Sequence, residues 1–419
     1  MNDIVLEIAR RAKKASPFIA AAKTSEKNKL LSGIAARLLD HADDIIEENK
    51  KDMERSRKEG ISDSILDRLM LDRPRIEKIS QSIDQVIEFT DPIGEVIFGY
   101  NLPNGLVLKN IRVPMGVMGI IYEARPNVTV DASVLCLKAG SAVILRGSSS
   151  ALDTNLVLVD IMRGVLKDNN FPQDIIQAVP TTEREDAVRL MQLREYVDLL
   201  IPRGGKSLID SVVKNSKVPV IETGVGNCHI YIDSEIERIP YCTIEKIVVN
   251  SKTQRPSVCN AAEKLLIDSK VCRDLLPKLA ERLKISGVSL VGCPRAREVY
   301  PSMGKAEEKD WYEEYLDLKI AIKIVDGLED AAAHINTYGS HHTDAIITSS
   351  YSNANLFSKV IDSSTVNINA STRFTDGGEF GMGAEIGIST QKLHHRGPMG
   401  LREITANKFI VYGEGQIRK

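Results

Sequence analysis

The sequence predicts an α/β protein: a helical start, a parallel-sheet cofactor domain and a second α/β domain. Three observations carry that expectation. From residue 116 onward, short apolar runs alternate with helical patterns. Repeated βαβ units with near-continuous apolar strands make a parallel sheet covered on both faces. The ends of the expected strands are polar, glycine-containing and partly basic, and such sheets bind ligands at their carboxyl ends. The 419 residues, 43% apolar and 27% charged, suffice for two cores.

The first 90 residues read as helices. Leu30, Leu31, Ile34, Leu38 and Leu39 recur at helical spacing, with Thr24 and Ser25 as candidate N-caps. "EENKKDMERSRKEG" reads as a solvated helix end closed by Gly60, and a further helix is expected from Pro74 to Phe89. "VIFGYNLPNGLVLKNIRVP" has two apolar runs joined by Asn104-Gly105, a strong hairpin signal. A hairpin between two such regions is expected to leave the domain body and pair with another subunit.

The alternating region follows. "GVMGIIYE", "AVILR", "IIQAV", "VDLLIP" and "VPVIET" read as strands. Residues 128–138, "ALDTNLVLVDIMRGVL", "EREDAVRLMQL" and "KSLIDSVV" read as the intervening helices. At the strand ends stand Arg125, Arg146, Ser148, Gly204, Gly205 and Glu222. Gly204 and Gly205 let backbone approach a pyrophosphate at the start of a helix. Arg146 with Ser148 suits a ribose 2′-phosphate, which favours NADP over NAD. The G-x-G-x-x-G fingerprint is absent, and "GVG" at 224–226 is too short to count.

A second α/β region starts near residue 226. "PYCTIEKIVVN" reads as a helix, and "EKLLID", "IAIKIVD", "TDAIITS" and "STVNINAS" as strands. Between that helix and "EKLLID" lies "SKTQRPSVCN". Lys252, Gln254, Arg255 and Ser257 surround Cys259, and nearby positive charge favours the nucleophilic thiolate. Of the six cysteines, Cys136 and Cys242 read as small buried hydrophobes. No C-x-x-C pair or zinc-ligand spacing occurs, so no metal is expected. The glycine-rich stretch from Ser371 to Gly400 reads as part of a site. His394 and His395 read as structural, and His341-His342 as a solvated turn. "ANKFIVYG" reads as a final strand.

Net charge of −2 argues against a general nucleic-acid binder, and no apolar run approaches a membrane span. The N-terminus has no signal-peptide pattern, so a cytoplasmic location is expected.

The motifs "IYEARPNVTVDAS", "AVILRGS", "LIPRGG", "GNCHIYID", "VNSKTQRPSVCNA", "NASTRFTDGGEFGMGAE" and "STQKLHHRGPMGL", in this order, resemble the gamma-glutamyl phosphate reductases (glutamate semialdehyde dehydrogenases) of the aldehyde dehydrogenase superfamily. They span about 116–403. The resemblance implies an aldehyde dehydrogenase-like fold. Residues 1–98 and 116–225 would form the NADP-binding domain and 226–403 the catalytic domain. Residues 99–115 and 404–419 would form an oligomerisation hairpin and C-terminal strand, joining a homo-oligomer. It implies that Cys259 is the nucleophile and Asn127 the oxyanion-hole amide, with Glu314 on the nicotinamide ribose. Arg146, Ser148, Gly204 and Gly205 would hold the rest of the cofactor. Glu222 matches the water-activating base of hydrolytic aldehyde dehydrogenases. Exchange with phosphate does not require that base, so Glu222 is grouped with the cofactor residues.

The implied reaction is NADPH-dependent reduction of gamma-glutamyl phosphate to glutamate semialdehyde through a cysteine thioester, in proline biosynthesis. Such a substrate needs cations at both ends. Arg125 and Arg255 are placed for the phosphate, and Arg373 with Ser371 for the alpha-carboxylate. The upstream glutamate kinase is a candidate partner. The alternatives are a hydrolytic aldehyde dehydrogenase and a catalytically silent binding protein on the same fold.

Overall fold

The computed structural model describes residues 3–382 and 385–418. The chain divides into two compact units. One comprises Met1–Thr223, Met382–Gly387 and Met399–Lys419, the other Gly224–Gly381 and Ile388–Pro398.

The first unit opens with helices Ile4–Ala20, Thr24–Asp40, Ala42–Lys58, Asp63–Leu69 and Arg73–Glu88. Their apolar faces are buried: Val5, Ile8, Ala12 and Ile19 on the first, Leu30, Leu31, Ile34 and Leu38 on the second. Asp3 caps the first helix by accepting from Leu6 N–H, and Asp72 caps the last by accepting from Arg75 N–H. Thr24 is not a cap. The helix starts at Thr24 itself with Lys23 as N-cap residue, and the Thr24 hydroxyl donates to Asp91 instead.

A four-stranded parallel sheet follows, in the order Ile176–Ala178, Ala142–Arg146, Val117–Tyr122, Leu199–Arg203. Every residue of Val117–Tyr122 is buried, as expected for a strand covered on both faces. "VPVIET" adds only an isolated bridge between Leu200 and Val220. Pro219 has no N–H to give a ladder, which limits pairing there.

The third element is a three-stranded antiparallel sheet: Val96–Asn101, Val107–Pro114 and Thr405–Tyr412, with Val107–Pro114 central. Gly105 takes φ +87° in the turn, a conformation glycine supplies without a Cβ clash. The edge strand Val96–Asn101 is exposed along its whole length.

The second unit is built on a seven-stranded parallel sheet. Its order is Gly304–Lys305, Ser289–Gly292, Lys319–Val325, Ala262–Asp268, Cys228–Ile232, Thr343–Ile347, Thr365–Ile368. The strand Cys228–Ile232 was not among the strands read from the sequence, because His229 and Tyr231 interrupt its apolar run. Both are fully buried with polar partners. His229 Nδ1 meets Asp344 Oδ1 at 3.1 Å, and the Tyr231 hydroxyl donates to Asp233 and Asp268.

Candidate active site

In the second unit, the helix Tyr241–Thr253 leads into the Cys259 loop, and strand Ala262–Asp268 leaves it. Cys259 is half-buried, while Cys136, Cys228, Cys272 and Cys293 are buried. Cys242 is exposed rather than buried. Its place early in an amphipathic helix turns it outward.

The backbone of Cys259 is held from two sides. The Cys228 thiol donates to the Cys259 carbonyl at 3.1 Å. Gly226 packs directly on the same carbonyl, so that a Cβ there would overlap it. The "GVG" run is therefore a packing requirement of the cysteine loop. Gly226 N–H in turn donates to Glu314 Oε1 at 2.7 Å. Burial raises the Glu314 carboxyl, and this bond opposes the rise.

Lys252, close to the thiol in sequence, is committed to an ion pair. Its side chain is fully buried and pairs with Glu263, itself fully buried, at 2.9 Å. Arg373 interacts electrostatically with Cys259. Burial lowers its guanidinium, and it feels Arg255, which lowers it further, and Cys259, which raises it. Its Nε donates to Gln254 Oε1 at 2.8 Å, which ties it to the cysteine loop. Arg255 is exposed.

The segment around Arg373 is bolted to the same helix. Ser371 Oγ donates to Asn250 Oδ1 at 2.7 Å and lies 3.0 Å from Ser251 Oγ. Thr372 N–H donates to Ser251 Oγ, and Asn260 Nδ2 donates to the Thr375 carbonyl at 2.8 Å. The Ser371 hydroxyl thus works for the scaffold. His342 is no solvated turn: it is fully buried, its Nδ1 lies 2.8 Å from Thr343 Oγ1, and burial pushes it down to about 4. Its neighbour His341 is half-exposed at φ +60°. His395 Nε2 lies 2.9 Å from the Pro398 carbonyl, consistent with a structural role.

In the first unit, the strand ends gather the remaining expected residues. Arg125 is exposed and precedes the helix Pro126–Lys138. Asn127 Nδ2 donates to Asp131 Oδ2 at 2.9 Å, one helical turn on. Burial pushes the Asp131 carboxyl up to about 6. Arg146 donates to the carbonyls of Gly147, Thr182 and Glu183, while its buried Nε–H has no partner. Ser148 Oγ accepts from Ala124 N–H at 3.2 Å and pairs with Ser150 Oγ at 2.6 Å. Gly204 and Gly205 are exposed at the start of helix Lys206–Asn215. Gly205 N–H donates to Glu123 Oε2 at 2.9 Å. Glu222 is half-buried.

Sequence reading passed over Cys228, Gly226, Glu263 and Asp131. Asp131 carried a usable signal, its i+4 spacing from Asn127 on a helix. The other three become neighbours of the site only through the sheet. Among the described residues, no group of His, Cys, Asp and Glu is arranged to hold a metal ion, and no helix is long and apolar enough to cross a membrane.

Residues 2–321 match the aldehyde dehydrogenase family. Gamma-glutamyl phosphate reductase of Clostridium perfringens (strain SM101 / Type A) is 51% identical over 418 residues, 100% of each chain. The protein of the same name from Caldicellulosiruptor bescii is 51% identical over 423 residues, again 100% of each. The crystal structure of gamma-glutamyl phosphate reductase from Thermotoga maritima matches with a TM-score of 0.97 at 45% identity, covering 99% of this chain and 100% of that one.

Proposed function

The chain belongs to the aldehyde dehydrogenase family, among the gamma-glutamyl phosphate reductases, and on that premise we propose that it reduces gamma-glutamyl phosphate to glutamate semialdehyde and phosphate, with NADPH, in proline biosynthesis. The observation that carries this reading is the Cys259 loop. A half-buried thiol stands within electrostatic reach of a guanidinium, on a backbone clamped by Gly226 and Cys228.

The residues of the first unit fit a dinucleotide phosphate. Gly204 lies where a Cβ would fall 2.6 Å from Glu123 Oε2 and 2.8 Å from Leu208 Cδ2, so a side chain there would have to displace both and narrow the turn. The buried Arg146 Nε–H is an unspent donor. Arg146 and Ser148 would hold the adenosine ribose phosphate, Gly204 and Gly205 the pyrophosphate, and Glu314 the nicotinamide ribose. Glu222 is assigned beside the cofactor. NADPH, when bound, supplies the hydride that reduces the acyl group.

The Cys259 thiolate attacks the acyl carbonyl, forming a C–S bond. The developing oxyanion is assigned to Asn127 and the Cys259 N–H, a contribution of about 3 kcal/mol. The C–O bond to phosphate breaks, and phosphate departs with the electron pair. Arg125 and Arg255 stabilise that departing charge, and Arg373 orients the alpha-carboxylate from a segment that the Ser371 hydroxyl fastens to Asn250. After reduction of the thioester carbon, the C–S bond breaks, the aldehyde leaves and the thiolate is restored. The net reaction takes up one proton, which ends on phosphate.

The exposed apolar edge Val96–Asn101 supports a homo-oligomer, and the soluble reaction supports a cytoplasmic place. The decisive experiment runs the reaction backward, from pyrroline-5-carboxylate (the cyclised semialdehyde) and NADP. NADPH should appear only when inorganic phosphate is present. NADPH formed equally well without phosphate would mean that water accepts the acyl group with Glu222 as base, and the hydrolytic reading would replace this one.

A further inference from the structure

We propose that the buried pair Lys252–Glu263 is a positioning device that fixes the Cys259 helix against the segment bearing Glu314, and so sets the nucleophile and the cofactor-holding glutamate relative to one another. The proposal rests on the reading of Cys259 and Glu314 given above.

The connections form a closed ring within one unit. Lys252 is the penultimate residue of the helix that ends at the cysteine loop. Its Nζ donates to Glu263 Oε2 at 2.9 Å, with both side chains 0% exposed. The other carboxylate oxygen, Oε1, accepts from Leu316 N–H at 3.3 Å. The next residue on the strand, Lys264, donates to the Glu313 carbonyl at 2.8 Å and stands 4.4 Å from the Tyr315 ring centroid. Two consecutive strand residues therefore grip the chain on both sides of Glu314. Leu316 is held at φ +53°, which a leucine adopts only where its surroundings impose it. Glu314 closes the ring by accepting from Gly226 N–H, and Gly226 lies on the Cys259 carbonyl.

Stability alone does not account for such a pair. Burying two charges costs about as much as their attraction returns, and apolar residues of similar volume often serve as well. Apolar residues have no directional bonds, however. They offer nothing to Leu316 N–H and nothing to hold Glu314 in register with Gly226.

That difference supplies the test. Lys252→Met, Glu263→Leu and the double variant are compared by melting temperature, NADPH titration, iodoacetamide labelling of Cys259 and turnover. Each single variant strands one buried charge and should melt early. The double variant should regain the melting temperature, yet bind NADPH about tenfold more weakly, turn over at least tenfold more slowly and label Cys259 at an altered rate. A double variant with parental melting, NADPH affinity, labelling and turnover would overturn the proposal. If it does not fold, Lys252→Met/Glu263→Gln is read by the same measurements and the same outcomes. Cys259→Ser separates the underlying reading. Near-parental turnover in that variant would refute the nucleophile assignment itself, whatever the pair variants do.

Discussion

At the carboxyl ends of the four-stranded sheet, Arg125, Ser148, Gly204 and Gly205 are half-buried or exposed. Around Cys259 the supporting polar groups, Lys252, Glu263, Ser251 and Ser371, are all buried. The first arrangement keeps these residues accessible to solvent, which suits the phosphate-bearing ligand proposed for it. The second commits these groups to internal bonds, while Cys259 and Arg373 stay half-buried and Arg255 exposed. Covalent chemistry tolerates little misplacement of the attacking atom, so rigidity there is worth the desolvation of several polar groups.

The glycines of the two regions give the largest contrast. Gly226→Ala would drive a Cβ into the Cys259 carbonyl, which is backbone and has nowhere to go. We expect a loss of roughly 3 kcal/mol or more of stability, with turnover down at least a hundredfold. Gly204→Ala meets the ends of the Glu123 and Leu208 side chains, which can turn aside. It should lose less than about 1 kcal/mol of stability and mainly weaken NADPH. Thermal unfolding and NADPH titration of both variants check the pair, and equal melting losses would erase the distinction.

A smaller effect is expected at Arg146. Arg146→Ala should weaken NADPH about tenfold while changing NADH little, because only the former carries the 2′-phosphate. Three of the guanidinium's donors already meet carbonyls, so some loss of order near Thr182 and Glu183 should accompany it. Equal losses for both cofactors would leave Arg146 with that structural duty alone.

The smallest effect is a difference in pH response. The Asp131 carboxyl, pushed up to about 6, favours its protonated form in the folded state. Its contribution is present below the ordinary carboxylate range and is lost as pH rises from about 4 through 6. His342, pushed down to about 4, behaves oppositely: its contribution is present above about 6.5 and is lost as pH falls through 4. Each contributes about 3 kcal/mol at most. Hydrogen exchange between pH 4 and 6.5 should show the helix Pro126–Lys138 weakening with rising pH and the strand Thr343–Ile347 strengthening. Parallel slopes would remove one of the two assignments. Asp131→Asn should flatten the first slope only.

Much of this was legible in the chain itself. The alternating strands of residues 117–203, the hairpin at Asn104-Gly105 and the loop bearing Cys259 follow from local pattern, because periodicity and turn chemistry act over a few residues. Local pattern failed where a polar residue had a distant partner. His229 and Tyr231 concealed a central strand because their partners, Asp344, Asp233 and Asp268, lie in other parts of the unit. "VPVIET" looked like a strand because the missing N–H of one proline is easily outvoted by its apolar neighbours.

Lys252 shows where the division falls. Its charge and its place seven residues before Cys259 are properties of the sequence, and they suggested a cation for the thiolate. Only the fold brings Glu263 to its side and excludes water from both. The field of a charge depends on what surrounds it, and the surroundings are assembled by the sheet. Composition, order of elements and the polar, basic setting of Cys259 along the chain were determined by the sequence. What Lys252 pairs with, and what holds Glu314 in place, were decided by tertiary contacts.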